Sequence, residues 1–465
     1  MTAIDKRLIE LEATRGIAAL VVLVHHLLLA FFPRFHGLLF PDEQVSLFGT
    51  PLFALVNGSA AVVLFFVLSG FVLTVRAFRT QSTFPLVLGA LKRWPRLAVP
   101  VLAVNICAGL LAGWALYLNQ PVAQGISSPW LSWWYDAPPT QWRSVVAAAK
   151  EGAFSTFLRG SAYFNSNLWT MYFEFYGSFL AFLVATIMIA FGSLGTGVLA
   201  AAMLFCFVTV SPYFTCFLAG VGLAALYGGE RWAITADWLR RRGHVFWTAM
   251  LGLVVLLFGY HEALAPTRAP AGIYRFLTPL YELAPLHLRV ALHTIGSMLV
   301  LLAVLALPAA TSRLRGPSGA MLGRLSFPTY LLQVPVICIV GPALFVPLAQ
   351  VIGATAALVA ATVASGSATL VLRHTADAPG SRMARYSSRY LAQAHRATAP
   401  PWQIVASPVT PHSLRFRGGQ APCLGHRQAA SRAAFSAASR SSRRSTLPTL
   451  VLGSSCWKTM YLGFL

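Results

Sequence analysis

Two runs in a strongly apolar chain carry side chains that can do chemistry. In the run from Glu12 to His26, Arg15 and His26 return to nearly the same azimuth of a helix, roughly 16 Å apart along its axis. A guanidinium at one end of such a stripe and an imidazole further along can grip an anionic molecule and act on its far end. A neutral imidazole accepts a proton from a hydroxyl, as a general base must. His25 points about a quarter-turn away, given the ~100° step of a helix. The second run, Leu168 to Ser178, holds Glu174 as its one carboxylate. If it enters the membrane from the side opposite to the first run, Glu174 and His26 share a depth. A carboxylate facing a histidine fixes its tautomer and steadies the imidazolium. Ionisable groups in apolar spans are functional candidates by default. The bland alternatives are an interhelical hydrogen-bonding histidine and a structural ion pair.

Two further groups stand beside these. Lys92, Arg93 and Arg96 precede Pro100. Arg93 and Arg96, at i and i+3, face the same way on a helix, and guanidiniums bind phosphate oxygens two at a time. Anchoring at the membrane surface explains them equally well, and Arg76 and Arg79 add to the same patch. In Phe65 to Phe71, Ser69 offers a hydroxyl in a dry setting and Gly70 permits close helix approach. No nucleophile elbow surrounds Ser69.

The elements that must position these residues are membrane spans. Of the 465 residues 57% are hydrophobic and only 10% charged, and the mean hydropathy is +0.66, which excludes an ordinary soluble domain. The formal charge of +22 falls in short loops and a C-terminal tail. That pattern fits the positive-inside rule and anionic lipid rather than nucleic acid, whose binding modules are not recognisable. The six cysteines show no metal spacing, and Cys107, Cys206, Cys216 and Cys338 read as small packing residues. No metal site is expected.

Runs long enough to cross about 30 Å of hydrocarbon predict an all-α polytopic bundle of about ten spans. They lie near Thr14–Phe32, Ala54–Thr74, Leu97–Leu118, Leu168–Phe191, Leu194–Val210, Pro212–Tyr227, Val245–Tyr260, Leu288–Leu307, Phe327–Leu348 and Val351–Leu372. The basic loops then share one side, the cytoplasmic one, with both termini. The first span reads as a signal anchor. The segment from Asn119 to Asn167 is expected as an outer loop whose tryptophans, Trp130, Trp133, Trp134 and Trp142, sit at the membrane interface, with stacking on a sugar ring as the alternative. Residues 1–373 form the membrane domain. Residues 374–465 form a basic tail without the apolar mass to fold alone, read as a disordered arm attracted to anionic lipid, an interaction arm, or a mis-assigned frame.

Together these residues resemble the membrane acyltransferase family 3, with a fungal-type cast. The matches are Arg15 with His26, the run Phe65 to Phe71, Arg93 with Arg96 and Pro100, Trp169-Thr170 with Glu174-Phe175, and Ser326 to Leu332 around Tyr330. The resemblance spans about Asp5 to Leu372. It implies ten core helices and transfer of an acyl group from cytoplasmic acyl-CoA, most simply acetyl-CoA, to a hydroxyl-bearing acceptor across or within the membrane. His26 and Glu174 would be catalytic. Arg15, Arg93, Arg96, Ser69, Gly70 and Tyr330 would hold the donor, with no tightly bound cofactor. Two departures stand out: Gln333 occupies a position where the family often has histidine, and Phe175-Tyr176-Gly177 follows the glutamate in place of a second acid or histidine.

The expected activity is therefore O-acyl transfer to a carbohydrate, lipid or secondary metabolite in a multi-pass membrane protein. The rival from another class is a proton-coupled transporter using His26 and Glu174 as relays, which calls for paired broken helices in two similar halves. A membrane scaffold with a lipid-binding tail is the third reading.

Overall fold

Apolar helices follow one another in the order of the expected spans in the computed structural model, which describes residues 8–41, 43–134, 141–262, 270–307 and 311–372. They are α1 (Ile9–Phe31), α2 (Gly58–Thr80), α3 (Phe84–Gly113), α4 (Trp169–Phe191), α5 (Ser193–Phe205), α6 (Pro212–Gly228), α7 (His244–Gly259), α8 (Pro285–Ala306), α9 (Pro317–Ile352) and α10 (Ala354–Leu372). No strand occurs among the described residues. Eight of these segments are long and apolar enough to cross a membrane, α5 by counting the π-helical turn that carries it to Val210. A ninth forms if α6 is taken with the Arg231–Arg240 helix, bent 94° from it; α7 is shorter, at 16 residues. The protein is an all-α polytopic membrane bundle. The basic tail lies outside the described residues.

Burial ranks the helices. The apolar window of α2 is 72% buried and that of α5 only 17%, so α2 is the central post and α5 lies on the rim. Lipid is as apolar as leucine, so close backbone approach must hold such helices together. At the crossing of α2 and α6 a Cβ on Gly70 would overlap the Phe217 carbonyl, and one on Gly220 would overlap the Val67 carbonyl. Small residues on both partners let the two backbones touch.

Asn57 ties the start of α2 to the end of α7. Its Oδ1 accepts from the Ala60 amide at 3.2 Å, capping α2, while Nδ2 donates to the carbonyls of Phe258 at 2.7 Å and Tyr260 at 3.1 Å. At the opposite end, Arg240 donates to the Ala306 carbonyl that ends α8, at 3.1 Å. The end of α2 lies beside the end of α6, where a Cβ on Gly228 would meet Phe78 and Arg79, so Arg79, Arg231 and Arg240 to Arg242 gather at one end.

The expected outer loop is instead folded. It contains helices at Asn119–Ile126, Pro129–Ser132, Gln141–Lys150 and Thr156–Arg159, and the Gln141–Lys150 helix packs back on α3. Glu151 drives that return: its buried carboxylate accepts from Asn105 at 3.3 Å, Ser161 at 2.5 Å and the Phe164 amide at 3.1 Å. A buried charge needs that many donors. Polar residues that look like loop from their composition are thus an inward-facing network.

Candidate active site

The expected donor-binding residues converge, with one exception. A cavity of about 180 Å³ is lined by Arg15 from α1, Ser69 from α2, Arg93 and Arg96 from α3, Glu174 from α4 and Tyr330 from α9, with apolar walls such as Phe65 and Leu97. The run from Phe84 to Gly113 is one helix, so Arg93 and Arg96 do fall on one face. Gly70 is the exception: it is spent on the α6 crossing and does not line the cavity. Arg76 and Arg79 are also outside it, and Arg79 lies over the Tyr227 ring at 4.7 Å.

Glu174 belongs to this cavity and not to His26. Its carboxylate forms an ion pair with Arg93 and accepts from the Ser69 hydroxyl at 2.7 Å; Arg93 and Glu174 side chains are only 8% and 14% exposed. Arg15 has Glu174 and Arg93 as charged neighbours. The expected shared depth of His26 and Glu174 is therefore corrected: Glu174 meets the residues at the Arg15 level, and His26 lies eleven residues, roughly 16 Å, further along α1. The reason is the start of α4. Asn165 and Asn167 are buried and clasp the middle of α9, so the chain enters α4 from inside the bundle.

That clasp has a local cause. Pro335 lacks an amide hydrogen, so the carbonyl of Leu331, four residues earlier, loses its helical donor. Asn165 Nδ2 supplies one at 2.6 Å. The Tyr330 carbonyl takes Asn167 Nδ2 at 2.8 Å and Gln333 Nε2 at 3.2 Å. The Tyr330 hydroxyl donates to the Asn167 carbonyl at 2.9 Å and sits 2.8 Å from the Thr170 hydroxyl. One brace thus sets Tyr330 in the cavity wall and fixes Gln333 a turn beyond it.

His26 does not line that cavity and is packed elsewhere in the bundle. Its ring is stacked on Trp130, centroids 5.3 Å apart and planes inclined 29°. Trp130 is 2% exposed, so it is a core residue; the interface position expected for it is corrected. Trp133 is exposed, Trp134 stands edge-on to Trp130 at 6.0 Å, and the Trp142 side chain lies outside the described residues. The Pro129–Ser132 turn is held on α1 by Ser128, which donates to the Leu29 carbonyl at 3.2 Å. His25 faces elsewhere, with Nδ1 2.9 Å from both the Val56 carbonyl and His36 Nε2.

A further polar cluster, not among the residues expected from the sequence, lies beyond His25, where the ends of α2, α7 and α8 meet. Arg289, 1% exposed, pairs with Glu262 at 3.0 Å and reaches His261 Nε2 at 3.1 Å. His261 Nδ1 donates to the Glu262 carbonyl at 2.5 Å, which leaves Nε2 as the acceptor, and Ser59 approaches it at 3.1 Å. Burial first, and then the neighbouring Arg289, hold His261 well below the usual histidine range; burial does the same to His36. His293 Nε2 donates to the Tyr260 carbonyl at 2.9 Å. The signal available was the spacing of Arg289 and His293, i and i+4 in an apolar run, with His261 and Glu262 just past the preceding one. Among the described residues no cluster of His, Cys, Asp and Glu is arranged to hold a metal ion.

An all-α multi-pass membrane protein with a buried arginine-glutamate cavity and a histidine packed apart from it is the class that fold and site define. The family profile described as an acyltransferase domain matches residues 8–370, and the chain belongs to that family, acyltransferase family 3. It is an acyltransferase. No curated protein and no solved structure gives a significant match.

Proposed function

We propose that the protein moves an acyl group, most simply acetyl, from cytoplasmic acyl-CoA to a hydroxyl of a carbohydrate, lipid or secondary metabolite. The observation that carries this reading is the composition of the cavity: three arginines, Arg15, Arg93 and Arg96, line it with one carboxylate, Glu174. The surplus positive charge in a largely apolar enclosure suits phosphate oxygens. Ser69 and Tyr330 add hydroxyls at the same wall. Glu174 acts here through Arg93, which it holds against the cavity.

From that anchor the arm of the donor extends along α1 toward His26. The neutral imidazole removes the acceptor's hydroxyl proton as the oxygen attacks the thioester carbon; the C–O bond forms, the C–S bond breaks, and the imidazolium returns its proton to the departing thiolate. Direct transfer is preferred to a histidine-bound acyl group, since one proton carrier suffices. The basic end of the bundle faces the cytoplasm with both termini, and the tail rests on anionic lipid. The transporter reading has no support in the fold: a single bent helix pair occurs among the described residues, not a matched two.

The test is transfer from acyl-CoA by purified protein in detergent or liposomes. His26→Ala is expected to lose at least a hundredfold in turnover. Full turnover at an unchanged protein level sinks the mechanism, and proton-coupled substrate flux without acyl-CoA would favour the transporter.

A further inference from the structure

General bases need an orienting partner. Glu174 is engaged with Arg93 and Ser69. His25 Nδ1 is turned to the Val56 carbonyl and His36, and its ring meets that of His26 only edge-on, at 5.2 Å. Trp130 covers a face of the His26 ring and so sets its plane, but a face contact leaves the in-plane rotation and the tautomer open. One atom on the ring edge is left to explain: His26 Nδ1 is shut off from solvent and has no hydrogen-bond partner.

The side chain that lies next to that imidazole is Gln333. Gln333 is fully buried, and its Oε1 is likewise sealed and unsatisfied. Its orientation is not free, because Nε2 donates to the Tyr330 carbonyl at 3.2 Å and the Pro335 brace holds that turn of α9. With the amide nitrogen committed, the oxygen is left to accept. Two adjacent buried groups, one able to donate and one only to accept, each without another partner, complement each other. The terminal torsions of histidine and glutamine are broad wells, so a small rotation joins them at little cost.

We propose that Gln333 is the positioning residue of His26: its Oε1 accepts the Nδ1 hydrogen, fixing the tautomer in which Nε2 carries the lone pair that takes the acceptor's proton. This rests on the reading of His26 as the general base. A neutral amide suits a base that must give its proton back within the same turnover. It orients the ring without the added attraction by which a carboxylate would hold the imidazolium.

The experiment compares wild type, Gln333→Leu and Gln333→His as full chains carrying 15N-labelled histidine, with His26 assigned by subtraction of the His26→Ala spectrum. Wild type is expected to show His26 protonated at Nδ1. Gln333→Leu should lose that signature and roughly tenfold to a hundredfold in kcat, with the KM for acyl-CoA unchanged. Gln333→His, whose imidazole also offers one acceptor and one donor, should restore both. Should the leucine variant not accumulate, Gln333→Met deletes the same acceptor with an unbranched chain. An unchanged tautomer and turnover in the leucine or methionine variant overturns the proposal. So does a change in KM alone. If instead His26→Ala keeps full turnover, the base reading falls, while the tautomer spectra still report whether Gln333 holds the ring.

Discussion

The arginine cavity and the surroundings of His26 are both built on α1 and α9, yet they solve opposite electrostatic problems. The cavity concentrates charge: Arg93 and Glu174 are an ion pair almost removed from solvent, with Arg15 beside them. The surroundings of His26 avoid it: the ring is held by an indole face and lies beside a neutral amide. Fixed charge is useful where a charged part of a substrate must rest through the whole reaction. Near a proton in transit the same charge would shift the transfer equilibrium, and neutral dipoles do less harm. The difference teaches that the two ends of one stripe can be tuned apart by their neighbours on other helices.

The sharpest way to break this contrast is kinetic. His26→Ala is expected to remove kcat with little effect on the KM for acyl-CoA. Arg15→Ala should do the reverse, raising KM by roughly tenfold to a hundredfold, the loss of one or two charge-assisted hydrogen bonds. If both variants change the same constant, the two regions are one site.

The next effect is on stability. Arg93→Ala leaves Glu174 inside the bundle without its counter-charge, which typically costs about 3–5 kcal/mol. Adding Glu174→Gln should recover a large part of it, read by denaturant unfolding in micelles. Equal stability of the single and double variants would mean that the pair is not coupled. No comparable rescue is expected from any second change beside His26.

The smallest effect concerns pH. Burial holds His36 and His261 below the ordinary histidine range in the folded protein. The unfolded chain therefore binds protons near pH 6.5 that the native state does not, and stability falls as pH drops below that value. The slope is up to about 1.4 kcal/mol per pH unit for each histidine. His36→Asn should remove roughly half of this slope between pH 6.5 and 5. A slope unchanged by the substitution would show that His36 does not share in it.

Much of the bundle was legible because length and hydropathy suffice to mark a span, and each of the expected spans has its helix. Arg93 with Arg96, Ser69 and Tyr330 were also legible, since spacing on one helix is a local property. The partnership of Glu174 was not. It depends on how deep α4 begins, and that is set by Asn165 and Asn167 bonding carbonyls on α9 more than 160 positions away. Trp130 misled for a related reason: an aromatic residue among prolines and serines looks interfacial until the turn that carries it is seen folded onto α1. The pairing of Arg289 with Glu262 was not legible because the two lie in different runs and only the packing of α8 against the end of α7 brings them together.

Between Arg15 and His26, α1 is a single unbroken helix, and its rise per residue sets the span between them. In the proposed reaction that segment is a measuring rod. A donor whose phosphate and reactive carbonyl stand too close together or too far apart cannot rest in the cavity and present its carbonyl to the imidazole at once. Selection among donors then falls first on the length of the arm, and only afterwards on the acyl group at its tip.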